Sequence, residues 1–124
     1  MDSDALNMAD DSNDKRFIEK ALKIIKENYK NSYYEVTEFV EQMGMSKTLV
    51  NKKMQSLTQQ SAGQFIRNYR LKIAKELLIK NRISRNMNIS EIAYEVGFND
   101  PKYFTRCFTK HFNATPSSFL DEAE

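Results

Sequence analysis

Residues that turn a chain sharply are rare in this sequence of 124 residues, which has only three glycines and two prolines. Long helices are therefore favoured over a fold that depends on many tight turns. No segment alternates apolar and polar residues in the pattern of a half-buried strand. We therefore predict an all-α fold, and the length suits a single domain.

Cysteine and histidine are almost absent, since Cys107 and His111 are the only ones. They cannot form a zinc site of the usual kind, and the sequence has no glycine-rich phosphate loop. Cys107 falls among the apolar positions of a predicted helix, which favours a buried small hydrophobic residue over a nucleophile. We therefore predict no enzyme activity, no metal site and no cofactor.

Long apolar runs are also missing. No segment approaches the roughly 20 apolar residues of a membrane-spanning helix, and the N-terminus is polar and acidic, unlike a signal peptide. A single cysteine excludes a disulfide framework. Together these features predict a cytoplasmic protein.

Charge of one sign does not dominate the whole chain, whose net charge is only +2, but it is unevenly distributed. The first fourteen residues contain five aspartates and no basic residue. Residues 47–110 contain 13 basic and 4 acidic residues. Such a segment could neutralise phosphates, although a solvated lysine-rich surface is the alternative interpretation.

Helical periodicity and capping residues divide the chain. Residues 1–13 lack apolar periodicity and are predicted to form a disordered acidic linker, followed by one domain over residues 14–124. Predicted caps include Ser46, Asp100 and Thr115, and capping boxes are predicted at Ser61 with Gln64 and at Asn88 with Glu91. About seven helices result, over residues 14–29, 35–43, 46–57, 61–81, 88–96, 101–112 and from 116 onward.

An internal repeat relates two of these helix pairs. The apolar residues and glycine of the first pair match those of the second at an offset of 53, and beyond the glycine the offset is 54. Each copy has a short helix, a glycine turn followed by an apolar residue, and a capped second helix, which is the helix-turn-helix plan. We predict one unit over residues 35–57 and another over residues 88–112. The matched residues are Val36, Phe39, Val40, Met43 and Gly44 with Ile89, Ile92, Ala93, Val96 and Gly97.

The second helix of each unit, the recognition helix, has a polar outward side. We expect Leu49, Val50, Met54 and Leu57 to be buried on the first, and Phe104, Cys107, Phe108 and Phe112 on the second. Asn and Gln can pair with adenine, Arg and Lys with guanine, and Thr with the thymine methyl group. A merely solvated helix face usually mixes Glu with Lys, and here the only acid is the cap Asp100. The outward residues are Lys47, Thr48, Asn51, Lys52 and Gln55, then Lys102, Thr105, Arg106, Thr109 and Lys110.

The segment ISEIAYEVGFNDPKYFTRCF, residues 89–108, carries a family resemblance. With the preceding units and a tail containing Phe112, Pro116 and Phe119, it resembles the DNA-binding domain of the AraC/XylS family. Tyr69, Arg70 and the apolar residues after them are similar to that family's linker helix. Asn113 stands where the family often has glycine, which an asparagine in left-handed conformation can replace. Met54 stands where phenylalanine is common, so the base preference of the first unit is the least transferable feature.

The resemblance implies a particular mode of DNA binding. Two helix-turn-helix subdomains are joined by a rigid linker helix over about residues 61–81, and both recognition helices enter successive major grooves. Thr48, Asn51 and Lys52 would contact bases in one groove, and Lys102, Thr105 and Arg106 in the other. The residues nearer the DNA backbone would be Lys47, Gln55, Thr109 and Lys110.

The resemblance also implies partners. The implied partners are double-stranded DNA, RNA polymerase and the upstream sensing or dimerising region of a longer protein. Among relatives, the sequence is most similar to C-terminal output domains of hybrid two-component regulators. We expect the isolated domain to be monomeric, because every apolar stripe has an internal partner.

Two other functions fit parts of the pattern. A helical protein-interaction module would show no salt-dependent affinity for DNA, whereas a DNA-binding domain shows a steep one. An architectural protein would bind DNA without regard to sequence, which the Asn, Gln and Thr residues of the outward faces disfavour.

Overall fold

The structure, a computed structural model, describes the backbone of residues 3–121 and the side chains of residues 12–121. Within that range the chain forms seven α-helices and no strand, which confirms the predicted all-α fold. No helix of the described range is long and apolar enough to cross a membrane. The helices are α1 (Ser3–Asn28), α2 (Val36–Met43), α3 (Lys47–Thr58), α4 (Ala62–Ser84), α5 (Ile89–Glu95), α6 (Pro101–Phe112) and α7 (Pro116–Asp121).

The first helix is longer than predicted. It begins at Ser3 rather than near Asp14, so the predicted start of the first helix is wrong, and helical backbone covers residues 3–13 of the segment for which a linker is predicted. The remaining two residues of that predicted linker lie outside the described range. The segment contains no glycine or proline but several strong helix formers, Ala5, Leu6 and Met8 among them.

Predicted capping residues lie at the starts of α3, α4 and α5. Ser46 Oγ accepts a hydrogen bond from the third amide of α3 at 3.2 Å. The predicted capping boxes form at Ser61 with Gln64 and at Asn88 with Glu91, each through two reciprocal hydrogen bonds. These side chains satisfy amides that have no partner within the helix. The starts of α3, α4 and α5 are therefore specified locally.

Two hydrophobic cores divide the molecule, and α4 contributes to both. The first core joins α1, α2 and α3 to Ala62 and Ile66 of α4. The second joins α5, α6 and α7 to Leu71, Ala74 and Leu78 of the same helix. Each helix-turn-helix unit therefore packs on its own half of a shared helix. This arrangement confirms the two subdomains and the linker helix that the family resemblance implied.

A few predicted core positions are wrong. Leu49 was expected in the buried side of its helix but is 41% exposed. It lies about 100° around α3 from Val50, and the side facing the core is occupied by the fully buried Val50 and Met54. Cys107 and Phe112 of α6 are half-buried rather than fully buried.

Candidate nucleic-acid interface

Helix α3 is the second helix of the first unit, and Gly44 forms the turn before it. Gly44 is the C-cap of α2 and has a φ of +72°, in the left-handed region. Val50 and Met54 are fully buried on the inner side of α3, so its opposite side faces solvent. That side carries the five exposed residues predicted for it: Lys47, Thr48, Asn51, Lys52 and Gln55.

The turn of the second unit requires glycine for two reasons. Gly97 has a φ of +97°, which residues with a side chain rarely adopt. A Cβ added to Gly97 would lie 2.0 Å from the carbonyl oxygen of Tyr29 and 2.8 Å from Arg70 Nε. Phe98 follows and is buried behind the turn, in the place predicted for an apolar residue.

Helix α6 is the second helix of this unit. Asp100 caps it by accepting a hydrogen bond from the Lys102 amide at 3.0 Å, and Phe104 and Phe108 are completely buried on its inner side. Three of its predicted outward residues are exposed, while two threonines are half-buried at the edge of the helix. The exposed residues are Lys102, Arg106 and Lys110, and the half-buried ones are Thr105 and Thr109.

Tyr103 belongs to the exposed side of α6 but was not singled out from the sequence. It is 41% exposed, and the Arg106 guanidinium lies 5.6 Å from the centroid of its ring. Its neighbour Phe104 is buried, about 100° away around the helix. The spacing of an aromatic residue three positions before an arginine is the signal that could have identified the pair.

The basic side chains on the outward faces of both recognition helices are not neutralised by carboxylates. Within the described part of the chain, none of these outward residues has a carboxylate at salt-bridge distance, whereas the half-buried Lys53 of α3 pairs with Asp14 at 3.7 Å. Uncompensated positive charge on two exposed helix faces favours a polyanionic ligand. The residues concerned are Lys47, Lys52, Lys102, Arg106 and Lys110.

A family model that spans both units matches this chain. Residues 39–122 match a helix-turn-helix domain, from within α2 to beyond the end of α7. The chain belongs to the AraC-type family of these domains. Its function is sequence-specific DNA binding for transcription regulation. Members are DNA-binding regulator domains, a class that is not usually enzymatic.

Curated relatives of this AraC-type domain are longer proteins. The chain is 42% identical over 106 residues to histidine kinase P4 of Formosa agariphila, a match that covers 86% of this chain and 7% of that protein. It is 30% identical over 102 residues to a helix-turn-helix-type transcriptional regulator of Pseudoalteromonas carrageenovora. That match covers 82% of this chain and 57% of the regulator. The chain therefore spans less than two thirds of either relative.

Solved structures with the same fold include domains of response regulators. The C-terminal domain of the two-component response regulator yesN from Fusobacterium nucleatum superposes with a TM-score of 0.71 at 25% identity, over 83% of this chain and 96% of that one. A transcriptional regulator from Chromobacterium violaceum superposes with a TM-score of 0.76 at 17% identity, over 88% and 93%. The second likeness concerns the fold alone.

The two units of this AraC-type domain meet at Arg70 of α4. Arg70 Nε donates to the carbonyl oxygen of Tyr29 and Nη2 to that of Asn31, each at 3.0 Å. Burial lowers the pKa of the Arg70 guanidinium from its usual value, and the nearby Tyr34 acts in the opposite direction. The same guanidinium lies against Gly97 of the second unit. One arginine therefore holds the end of α1, the linker helix and the second turn together.

Two further contacts reinforce this junction. The rings of Tyr29 and Tyr69 pack edge to face, with centroids 5.3 Å apart, and Tyr29 touches both hydrophobic cores. Lys30 forms an ion pair with Glu95 at 3.3 Å. Because that pair is largely exposed, it contributes at most about 1 kcal/mol. Packing and the half-buried Arg70 therefore dominate the junction.

Proposed function

We propose that this domain binds one face of a DNA duplex, with α3 in one major groove and α6 in the next. The observation that carries the proposal is the pair of exposed, uncompensated basic faces on two recognition helices that share one linker helix. Helix α4 has 23 residues, which correspond to about 35 Å. One turn of B-DNA is about 34 Å. The dimensions therefore suit two successive major grooves.

Individual contacts follow from the chemistry of the exposed side chains. Asn51 can pair with adenine, Arg106 can form a bidentate contact with guanine, and threonine methyl groups can touch thymine. The proposed base contacts are Thr48, Asn51 and Lys52 of α3 with Lys102, Thr105 and Arg106 of α6. The proposed backbone contacts are Lys47, Gln55, Thr109 and Lys110.

The experiment that tests this binding mode is selection of random duplex DNA by the purified domain, followed by titration at rising salt. We expect enrichment of a motif with two blocks about one helical turn apart, and affinity that falls steeply with salt. Salt-sensitive binding without an enriched motif would favour the architectural alternative. Absence of binding at low salt would favour the protein-interaction module.

Arg106→Ala tests the proposed base contact on α6. The variant should lose about 1–3 kcal/mol of binding free energy on the selected motif and relax specificity at one base pair. Competition titrations against each single-base variant of the motif measure this. Lys23→Ala is the control. Lys23 is exposed on α1, and its substitution removes one positive charge, as Arg106→Ala does. Equal loss on every sequence would reassign Arg106 to the DNA backbone.

The wider setting is proposed from the relatives. Most of this chain matches a short part, 7%, of the much longer histidine kinase P4. We therefore infer that it serves as the output domain of a longer protein of the hybrid two-component type. The remainder of that protein would sense a signal or mediate dimerisation, and RNA polymerase is the proposed partner at the bound site. Because both proposed partners, DNA and RNA polymerase, are found in the cytoplasm of bacteria, we propose that the domain acts there.

A further inference from the structure

A basic groove runs between the ends of the two recognition helices, and α4 forms its floor. It has a volume of about 580 Å³ and is lined by the C-cap of α3, the first half of α4 and one side of α6. We name it the central groove. Its polar lining includes Gln60, Arg67, Asn68, Arg106, Lys110 and His111.

The central groove has the chemistry of an anion site. No acidic side chain lines it, and Arg67, Arg106 and Lys110 form no ion pair within the part of the chain that the structure describes. Asn68 Nδ2 donates to Gln60 Oε1 at 2.9 Å, which leaves the Gln60 amide nitrogen able to donate to a ligand. Cations gathered in a concave surface concentrate positive potential there.

The position of the central groove indicates which anion it meets. Its walls include Gln59, the residue that ends α3, and Arg106 of the exposed face of α6. On one face of B-DNA, two successive major grooves are separated by the minor groove and the phosphates that border it. If α3 and α6 occupy those major grooves, the intervening DNA backbone passes the central groove.

We propose that the central groove binds a phosphodiester of the DNA backbone between the two major grooves, and that Arg67 of the linker helix is its principal ligand. This inference rests on the proposed binding mode and adds a contact from the linker helix itself. Arg67 is half-buried and makes no hydrogen bond or ion pair within the described residues. Its guanidinium is therefore available to a phosphate, which it can bind in a bidentate manner.

The test compares salt dependence of DNA affinity in matched variants. Arg67→Gln should reduce the slope of log affinity against log salt by about 0.9, the contribution of one phosphate contact. If wild type and variant bind equally at 1 M salt, this difference in slope makes the variant's affinity about eightfold lower than that of the wild type at 0.1 M salt. The loss should be equal on the selected motif and on a scrambled duplex, because a phosphate carries no sequence information.

Two control variants separate the phosphate contact from other effects of the substitution. Arg67→Lys keeps the charge and should keep the slope. Lys80→Gln removes a positive charge from an exposed position near the other end of α4 and should leave both slope and affinity unchanged. Thermal melting of each variant checks that the fold is retained.

Neutral methylphosphonates placed one at a time between the two blocks locate the contact on the DNA. The wild-type domain should lose affinity at one or two central positions, and Arg67→Gln should show no further loss there. An unchanged salt slope in Arg67→Gln, or equal sensitivity of both proteins to the central methylphosphonates, overturns the proposal for the central groove alone. Failure of the wild-type domain to select a two-block motif overturns the proposed binding mode itself.

Discussion

Gly97 and Gly44 occupy equivalent turns in the two units but meet different surroundings. Both have positive φ angles, +97° and +72°. At Gly44 an added Cβ would meet only the flexible end of Lys20, at 3.7 Å. At Gly97 it would overlap the main chain of Tyr29. The first glycine is therefore required by conformation, and the second by conformation and by the junction between the units.

Gly97→Ala is therefore expected to destabilise the domain more than Gly44→Ala. A non-glycine residue in left-handed conformation costs about 1–2 kcal/mol, and Gly44→Ala should lose an amount of that order. Gly97→Ala must in addition displace a backbone carbonyl, so we expect a loss of unfolding free energy larger by at least about 1 kcal/mol. Urea unfolding of both variants measures the difference. Equal losses would mean that the junction adapts without cost.

At the level of elements, the sequence predicts helix starts where a side chain caps the first turn. Ser46, Ser61, Asn88 and Asp100 each accept the hydrogen bond expected of them. Capping involves residues within three positions of one another, so local sequence contains the information. Asn113, which stands where the family often has glycine, adopts the left-handed conformation, with a φ of 56°.

Helix ends that depend on tertiary contacts could not be predicted in this way. Helix α4 continues to Ser84 and ends at Arg85, a left-handed residue that is not glycine. Its last turn is stabilised by the buried Asn81, which donates to the carbonyl of Leu77 and accepts from the amide of Met87, both at 2.9 Å. The hydrogen bond to Met87 crosses the connection to α5, and only the fold brings these groups together.

The candidate interface also has features that local sequence predicts and features that depend on long-range contacts. The exposed faces of α3 and α6 follow from helical periodicity once the buried side is known, although Leu49 was expected to be buried and Tyr103 was not identified. The junction joins Arg70 to Tyr29, which is 41 residues away in the sequence. The central groove likewise takes its walls from α4, α6 and the connection that follows α3. Such long-range proximity leaves no periodic signal in the sequence.

For the whole molecule, the junction determines how far apart the two recognition helices lie. Each unit has its own core, and beyond α4 itself only Tyr29 is packed against both of them. The relative position depends on α4 and on Arg70, which links the end of α1 to the turn at Gly97. Helix α3 shares a core with α1 and α2, and α6 begins four residues after Gly97. Removing the Arg70 contacts should therefore make the distance between the two DNA-contacting helices more variable.

Arg70→Met therefore should reduce the ability of the domain to distinguish operator spacings. One base pair inserted between the blocks moves the second block by about 3.4 Å and rotates it by about 35°. We expect the wild-type domain to lose at least about fivefold in affinity on that duplex, as for a displaced bidentate contact worth about 1–3 kcal/mol. The variant, which lacks both hydrogen bonds but keeps the length of the side chain, should show a penalty several times smaller. Titrations on duplexes with both spacings give this ratio, with Lys80→Met as the control. A parallel loss on both duplexes would limit Arg70 to a role in stability, because only a loosened junction changes the preference between spacings.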